Sequence, residues 1–256
     1  MIRLLNFLGD HFIGIINTSG SMTLMFLDSL RLMFVRPFRV KLLFKQIEFI
    51  GVNSLTVIIL TGSFTGMVFA FQSYIGFQKF GAEQIVGTVV ALGMARELGP
   101  VLSAIMVAAR AGSAMTAEIG TMKVTEQVDA LNALGVDPVQ YLFVPRILAG
   151  FIVMPMLNAI AVFCGIVGGF VVSITVLGIN KTLYLEYMFQ FIELGDFING
   201  MVKAFVFGGI VTLVGCYKGY MTTGGAEGVG KSTTESVVMA SVMILVFDYV
   251  LTAFMF

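Results

Sequence analysis

The chain has 256 residues, of which 58% are hydrophobic and 12% charged, and its formal net charge is zero. Soluble domains carry about 25% charged residues, so so few charges cannot cover a water-facing surface of this size, and the excess apolar area is expected to face lipid. That excludes an ordinary soluble enzyme, and the balanced charge gives no reason to expect nucleic-acid binding.

The chain opens with MIRLLNFLGDHFIGIINTSG. Asp10 and His11 interrupt its apolar stretch and no small-residue cleavage site follows, so no cleavable signal peptide is expected. Leu4, Leu5, Leu8, Phe12, Ile15 and Ile16 share one helical face, while Arg3, Asn6, Asp10 and Asn17 share the other. That period predicts an amphipathic helix lying in the membrane interface. Residues 1–45 are therefore read as an interfacial elbow, and 46–256 as one membrane-spanning unit.

A span needs about 20 mostly apolar residues. Phe49 to Gln78 carries no charge and supplies the first. Ile85 to Ala109 supplies the second, interrupted by Arg96 and Glu97 and bent at Pro100. A third is expected near Leu148 to Val172, kinked at Pro155. The fourth runs from Phe197 to Tyr217, with Lys203 near one end and able to snorkel; the fifth runs from about Ser236 to Phe256. Five spans are predicted. Arg31, Arg36, Arg39, Lys41 and Lys45 precede the first span with no acid among them, which places the amino terminus in the cytoplasm. Lys123, Lys218 and Lys231 then also fall on the cytoplasmic side.

Small residues recur at Gly62, Ser63 and Gly66, and again at Gly165, Gly168 and Gly169. They let helix backbones approach closely, either at a dimer seam or within one subunit. Cys164 and Cys216 lie in apolar runs and read as small hydrophobes, and His11 has no clustered partner, so neither a metal nor a cofactor is expected.

Gly225 to Ser232 matches the phosphate-loop pattern G-x-x-x-x-G-K-S, and the apolar run ending at Asp248 imitates the magnesium-binding strand of such enzymes. The motif requires a strand before it, a helix after it and a parallel sheet around both. Residues 233–256 are nearly all needed for a membrane span, so the match is rejected. A glycine-rich turn is expected instead, with Ser232, Thr233 and Thr234 placed to cap the last helix.

Arg96 and Glu97 sit where a charge costs about 2.5–3.5 kcal/mol on insertion scales. Adjacent residues on a helix point about 100° apart, so the two need not pair with each other. We read them as lining a path for a polar or charged headgroup, in preference to a structural ion pair with neighbouring helices. Asp248 is a weaker case of the same kind. After the second span, Thr125 to Leu134 predicts a short helix stopped by Gly135 and Pro138, apolar at Val128, Leu131 and Leu134. Held outside the bilayer, it suits docking to a soluble partner or lying on the membrane.

The runs Arg96-Glu-Leu-Gly-Pro-Val-Leu, Ala109 through Leu131, Gly135-Val-Asp-Pro138 and Asp248-Tyr-Val-Leu-Thr-Ala253 are long and specific. From about Leu42 to Phe256 the chain resembles the MlaE/YrbE family, the permease subunits of ABC transporters that move phospholipids or other lipids across the cell envelope. The resemblance implies an all-α protein of the bacterial inner membrane, a homodimer of five-span subunits, with no catalysis of its own. It also implies a separate ATPase, a periplasmic MCE-domain protein and a small STAS-domain protein as partners. Arg96 and Glu97 match a charged pair bordering the lipid cavity. Phe80 occupies a place where some relatives carry a pocket tyrosine. Residues 118–138 would be the coupling helix, meeting the ATPase through Glu118, Lys123, Thr125, Glu126, Asp129 and Leu131. The rival readings are an ion-coupled secondary transporter using Glu97 and a structural membrane anchor.

Overall fold

The computed structural model describes residues 2–35 and 39–255, with side chains described from Ile13 onward, Ile15 excepted. Among them every regular element is helical: α1 (Ile2–Leu32), α2 (Val40–Ile50), α3 (Leu55–Gln78), α4 (Val86–Gly93), α5 (Gly99–Val107), α6 (Ser113–Val124), α7 (Gln127–Ala133), α8 (Val144–Thr175), α9 (Lys181–Phe191), α10 (Leu194–Tyr220) and α11 (Gly225–Met255). They make five stretches long and apolar enough to cross a membrane: Val40–Gln78, Glu83–Val124, Val139–Thr175, Leu194–Tyr220 and Gly225–Met255. The chain is a multi-pass membrane protein. The backbone of α1 is helical to Leu32, but most of the side chains of its expected amphipathic face, with His11, lie outside the described residues, as does Arg36.

The spans are longer than the uncharged runs, because polar residues continue each helix past the apolar core. α6 carries the second span to Val124, so Glu118 and Lys123 sit on its last turns rather than in a loop. The short helix expected from Thr125 begins at Gln127 instead. Thr125 ends α6, its hydroxyl donating to the Thr121 carbonyl at 2.8 Å. Glu126 then turns the chain with a left-handed φ of 60°, and Gly135, at φ 72°, stops α7. The expected glycine-rich turn is a further correction. Gly225 to Ser232 forms the first turns of α11, and the Thr233 hydroxyl donates to Gly230 at 2.6 Å inside that helix rather than capping it. Sequence reasoning missed α9, which Asn180 starts by accepting the Thr182 amide at 2.9 Å.

Three π-helical turns, at Met94–Leu98, Ala108–Gly112 and Val139–Phe143, widen the second and third spans. A proline removes one backbone donor and crowds the carbonyl four residues before it. Those carbonyls belong to Arg96 for Pro100 and Tyr141 for Pro145, and both lie in π-turns, which open the backbone where the ring would clash. Pro155, by contrast, sits inside an unbroken α8.

The glycine seam joins α3 to α8 within this chain. A Cβ at Gly66 would overlap the Gly165 carbonyl, one at Gly168 would come within 2.6 Å of the Ser63 carbonyl, and one at Gly62 within 2.6 Å of that of Ala161. Of the two uses left open for these small residues, close packing inside one subunit is therefore the one they serve. α11 and α3 keep large outward-facing apolar side chains, among them Val238, Val242 and Leu245, and Phe64, Val68 and Phe71.

Candidate functional site

Two helices meet around the first π-turn because neither carries bulk there. A Cβ at Gly200 of α10 would collide with the Ala95 carbonyl. Without it, α10 lies directly against Met94–Leu98, and Asn158 of α8 reaches the Gly200 carbonyl at 3.3 Å. Arg96 and Glu97, pointing in different directions, each find a partner on α10. Asp196 and Lys203 are separated by two helical turns, so both present to the same side.

Arg96 donates through Nε to Asp196 Oδ1 at 2.7 Å and places Nη2 at 2.7 Å from the same oxygen. Asp196 is buried, and its other oxygen accepts the Glu193 amide at 3.1 Å in the capping box that starts α10. One carboxylate thus caps a helix and holds a guanidinium of the neighbouring span. Lys203 is wholly buried, about 14 Å along the axis from the start of α10, nine residues (203 minus 194) at the helical rise. It does not snorkel to the interface as its sequence position suggested. Its ammonium donates to Glu97 Oε2 at 2.5 Å, to Asp248 Oδ1 at 3.0 Å and to Thr252 Oγ1 at 2.7 Å. An ammonium has three protons to donate, and each finds an oxygen. Snorkelling would be the cheaper course for a lone lysine; here two carboxylates brought in by α11 and the second span offset the loss of water.

The cluster links three spans with two cations, Arg96 and Lys203, against three carboxylates, Glu97, Asp196 and Asp248, and so carries a formal charge of −1. Its members differ in access. The Arg96 and Glu97 side chains are each 38% exposed, while that of Lys203 is 0%. Next to Glu97, Leu98 lines an open concavity of about 420 Å³ with Phe64, Thr65, Val68, Phe69 and Gln72. The lining residue nearest the charged pair in sequence is Leu98, and Arg96 and Glu97 are themselves not among the lining residues. Nor is Phe80; its ring is 84% exposed in the turn after α3.

At the other end of the bundle, Glu118 Oε2 lies 2.7 Å from Arg146 Nη2, and Arg146 also donates to the Leu142 carbonyl at 2.8 Å. This ties α6 to the start of α8. Lys123 holds Asp129 at 3.1 Å across the α6–α7 bend and stands 5.6 Å from the Tyr220 ring. Val128 is buried, and Leu131 packs beside it against the cluster containing Ile119, Phe143 and Cys216. Leu131 therefore faces inward. Glu126, Asp129 and Leu134 are exposed, as is Thr125 at the bend. The structure thus spreads the sequence-selected residues over two places: Arg96 and Glu97 at the ionic cluster, and Glu118 to Leu131 around α7.

Sequence reasoning missed Asp196 and Thr252, and misplaced Lys203. The signals were there as spacings: Asp196 and Lys203 two turns apart, and Asp248 and Thr252 at i, i+4 on the last span. Arg110 was also passed over; in the second π-turn it donates to the Phe49 carbonyl and stands 5.1 Å from the Phe49 ring.

These features define a helical membrane protein in which three spans bring together a partly exposed ionic cluster. The chain belongs to the MlaE permease family, whose description, Permease MlaE, matches residues 43–254. A probable ABC transporter permease protein of Rickettsia typhi is 44% identical over 256 residues, covering 100% of this chain and 99% of that protein. The intermembrane phospholipid transport system permease protein MlaE of Haemophilus influenzae is 42% identical over 216 residues, 84% of this chain and 83% of that protein. The chloroplastic protein TRIGALACTOSYLDIACYLGLYCEROL 1 of Arabidopsis thaliana is 41% identical over 212 residues, 83% of this chain and 61% of that protein.

Proposed function

We propose that the chain is the non-catalytic membrane subunit of an ABC transporter that moves phospholipid between the inner and outer membranes of a bacterium. Residues 46–256 act as the permease unit in the inner membrane, and 1–45 as its interfacial elbow. Two copies enclose the lipid, a separate ATPase supplies the energy, and an MCE-domain protein continues the lipid path. A STAS-domain protein is a further partner of the ATPase. Support comes from the relatives' names and, in this chain, from one observation above others: a partly exposed Arg96–Glu97 pair within a span whose next residue, Leu98, lines an apolar concavity.

The geometry suits an amphiphile. Acyl chains lie on the Phe64, Val68 and Leu98 surface while an anionic headgroup meets Arg96. Because Asp196 already holds that guanidinium, the headgroup competes with a carboxylate and is bound weakly enough to leave. On the cytoplasmic side, the exposed face of α7 with Glu126 and Asp129 meets the ATPase. Glu118, Arg146 and Lys123 fix the bend behind it, so that a pull on α7 is carried into the second and third spans.

The test is Arg96→Glu in the purified complex. Phospholipid retained per protomer is expected to fall several-fold while the ATPase still co-purifies. Unchanged lipid in an intact complex sinks the assignment of Arg96.

A further inference from the structure

A second apolar recess lies at the amino-terminal end of the bundle, far in sequence from the ionic cluster. Its cavity volume is about 80 Å³, open on one side to the surface, and it is lined by Leu32 and Met33 at the end of α1, Leu43 of α2, and Val144 and Leu148 of α8. Two polar side chains also line it, Arg39 and Gln140. Gln140 is already engaged, donating to the Val35 carbonyl at 2.9 Å. Arg39 is not fully used. Its guanidinium carbon stands 4.4 Å from the Tyr141 ring centroid, but its Nε is buried with no hydrogen-bond partner among the described residues. Among the described residues no acid lines the recess. The stretch from Arg31 to Lys45 contains no acid either, and its Arg31, Lys41 and Lys45 are exposed.

A buried guanidinium N–H without an acceptor is costly to leave unmade, and phosphate oxygens suit an arginine donor. An apolar slot beside that donor suits an acyl chain, which a free phosphate would leave empty. Exposed cations in the same acid-free stretch favour a headgroup with net negative charge, the kind enriched where basic segments meet a membrane surface. We propose that this recess holds a resident anionic phospholipid, one acyl chain between α1, α2 and α8 and its phosphate on Arg39. The lipid fills the joint between the interfacial helix and the first and third spans, and is distinct from the transported molecule at Arg96. The proposal rests on the chain's being a membrane permease, and holds whatever its cargo.

The chain contains no tryptophan, so Met33→Trp places a single reporter in the recess. The full-length variant is reconstituted in phosphatidylcholine vesicles containing phosphatidylglycerol or phosphatidylcholine with brominated acyl chains. Brominated phosphatidylglycerol is expected to reach half-quenching at a mole fraction about fivefold lower than brominated phosphatidylcholine. Adding Arg39→Gln is expected to merge the two curves, and Arg96→Gln to leave them apart. Leu148→Phe fills the slot without altering charge and is expected to weaken quenching by both lipids, which keeps the test decisive if the Arg39 variant does not reconstitute. Coincident curves with Arg39 intact, or quenching indifferent to Leu148→Phe, would overturn the site. A preference abolished by Arg96→Gln but not by Arg39→Gln would do so too, by placing the lipid in the transport path.

Discussion

Replacing Lys203 by methionine removes a cation that Glu97 and Asp248 share, at nearly constant side-chain volume. Both carboxylates then stay among three packed spans, and Thr252 loses its donor as well. Breaking a buried ion pair by removing one partner costs about 3–5 kcal/mol. Glu97 is 38% exposed and regains some hydration, while Asp248, at 20%, regains less, so the loss should fall near the lower bound, at about 3 kcal/mol. For a chain of this size about 2–4 °C of melting temperature accompanies each kcal/mol, so K203M should melt about 6–12 °C lower. Melting is followed in detergent by the fraction that survives heating as a monodisperse species. The triple variant Glu97→Gln, Lys203→Met, Asp248→Asn leaves no uncompensated charge and should recover most of the loss. A K203M protein as stable as the parent, or a triple variant worse than K203M, refutes the reasoning that the lysine is held by these acids.

Gly200→Leu forces a side chain into the Ala95 carbonyl; it should separate α10 from the π-turn and abolish folded expression, whereas Gly195→Ala, with open space around it, should express normally. Asn180→Ala removes the cap of α9 and should cost about 1 kcal/mol, read as faster amide exchange confined to 181–186. Lys231→Ala alters the lysine of the phosphate-loop pattern, yet that side chain is 78% exposed on a helix; ATP hydrolysis by the assembled complex should be unchanged, and a large loss would revive the rejected motif. Arg146→Ala unties α6 from α8 and should uncouple transport from hydrolysis in reconstituted complexes, with ATP turnover continuing while lipid transfer falls.

Span number was legible because an uncharged run of 20 or more residues has few alternatives to crossing lipid. Span ends were not. Hydropathy registers where apolar residues stop, but α6 runs on through Glu118 and Lys123 to Val124, and α11 starts at Gly225 on residues that pattern as a turn. Lys203 shows the same limit at the site. A single lysine near the end of a marginal span reads as snorkelling, and only the approach of α11 and the second span reveals two waiting carboxylates. Arg96 and Glu97 drew attention as charges in an apolar run, but their partners could not be found from periodicity. Asp196 lies 100 residues away in sequence, and the approach depends on Gly200 having no side chain. The seam at Gly62, Gly66 and Gly165 was visible as a motif of close contact, while which helix it met required the fold.

Whether the chain is an ABC permease whose cargo is phospholipid is decided by purifying it from its native membrane in mild detergent and identifying bound protein and lipid by mass spectrometry. An ATPase, an MCE-domain protein and phospholipid in stoichiometric amount are expected. A stable chain recovered alone and free of lipid would contradict that reading.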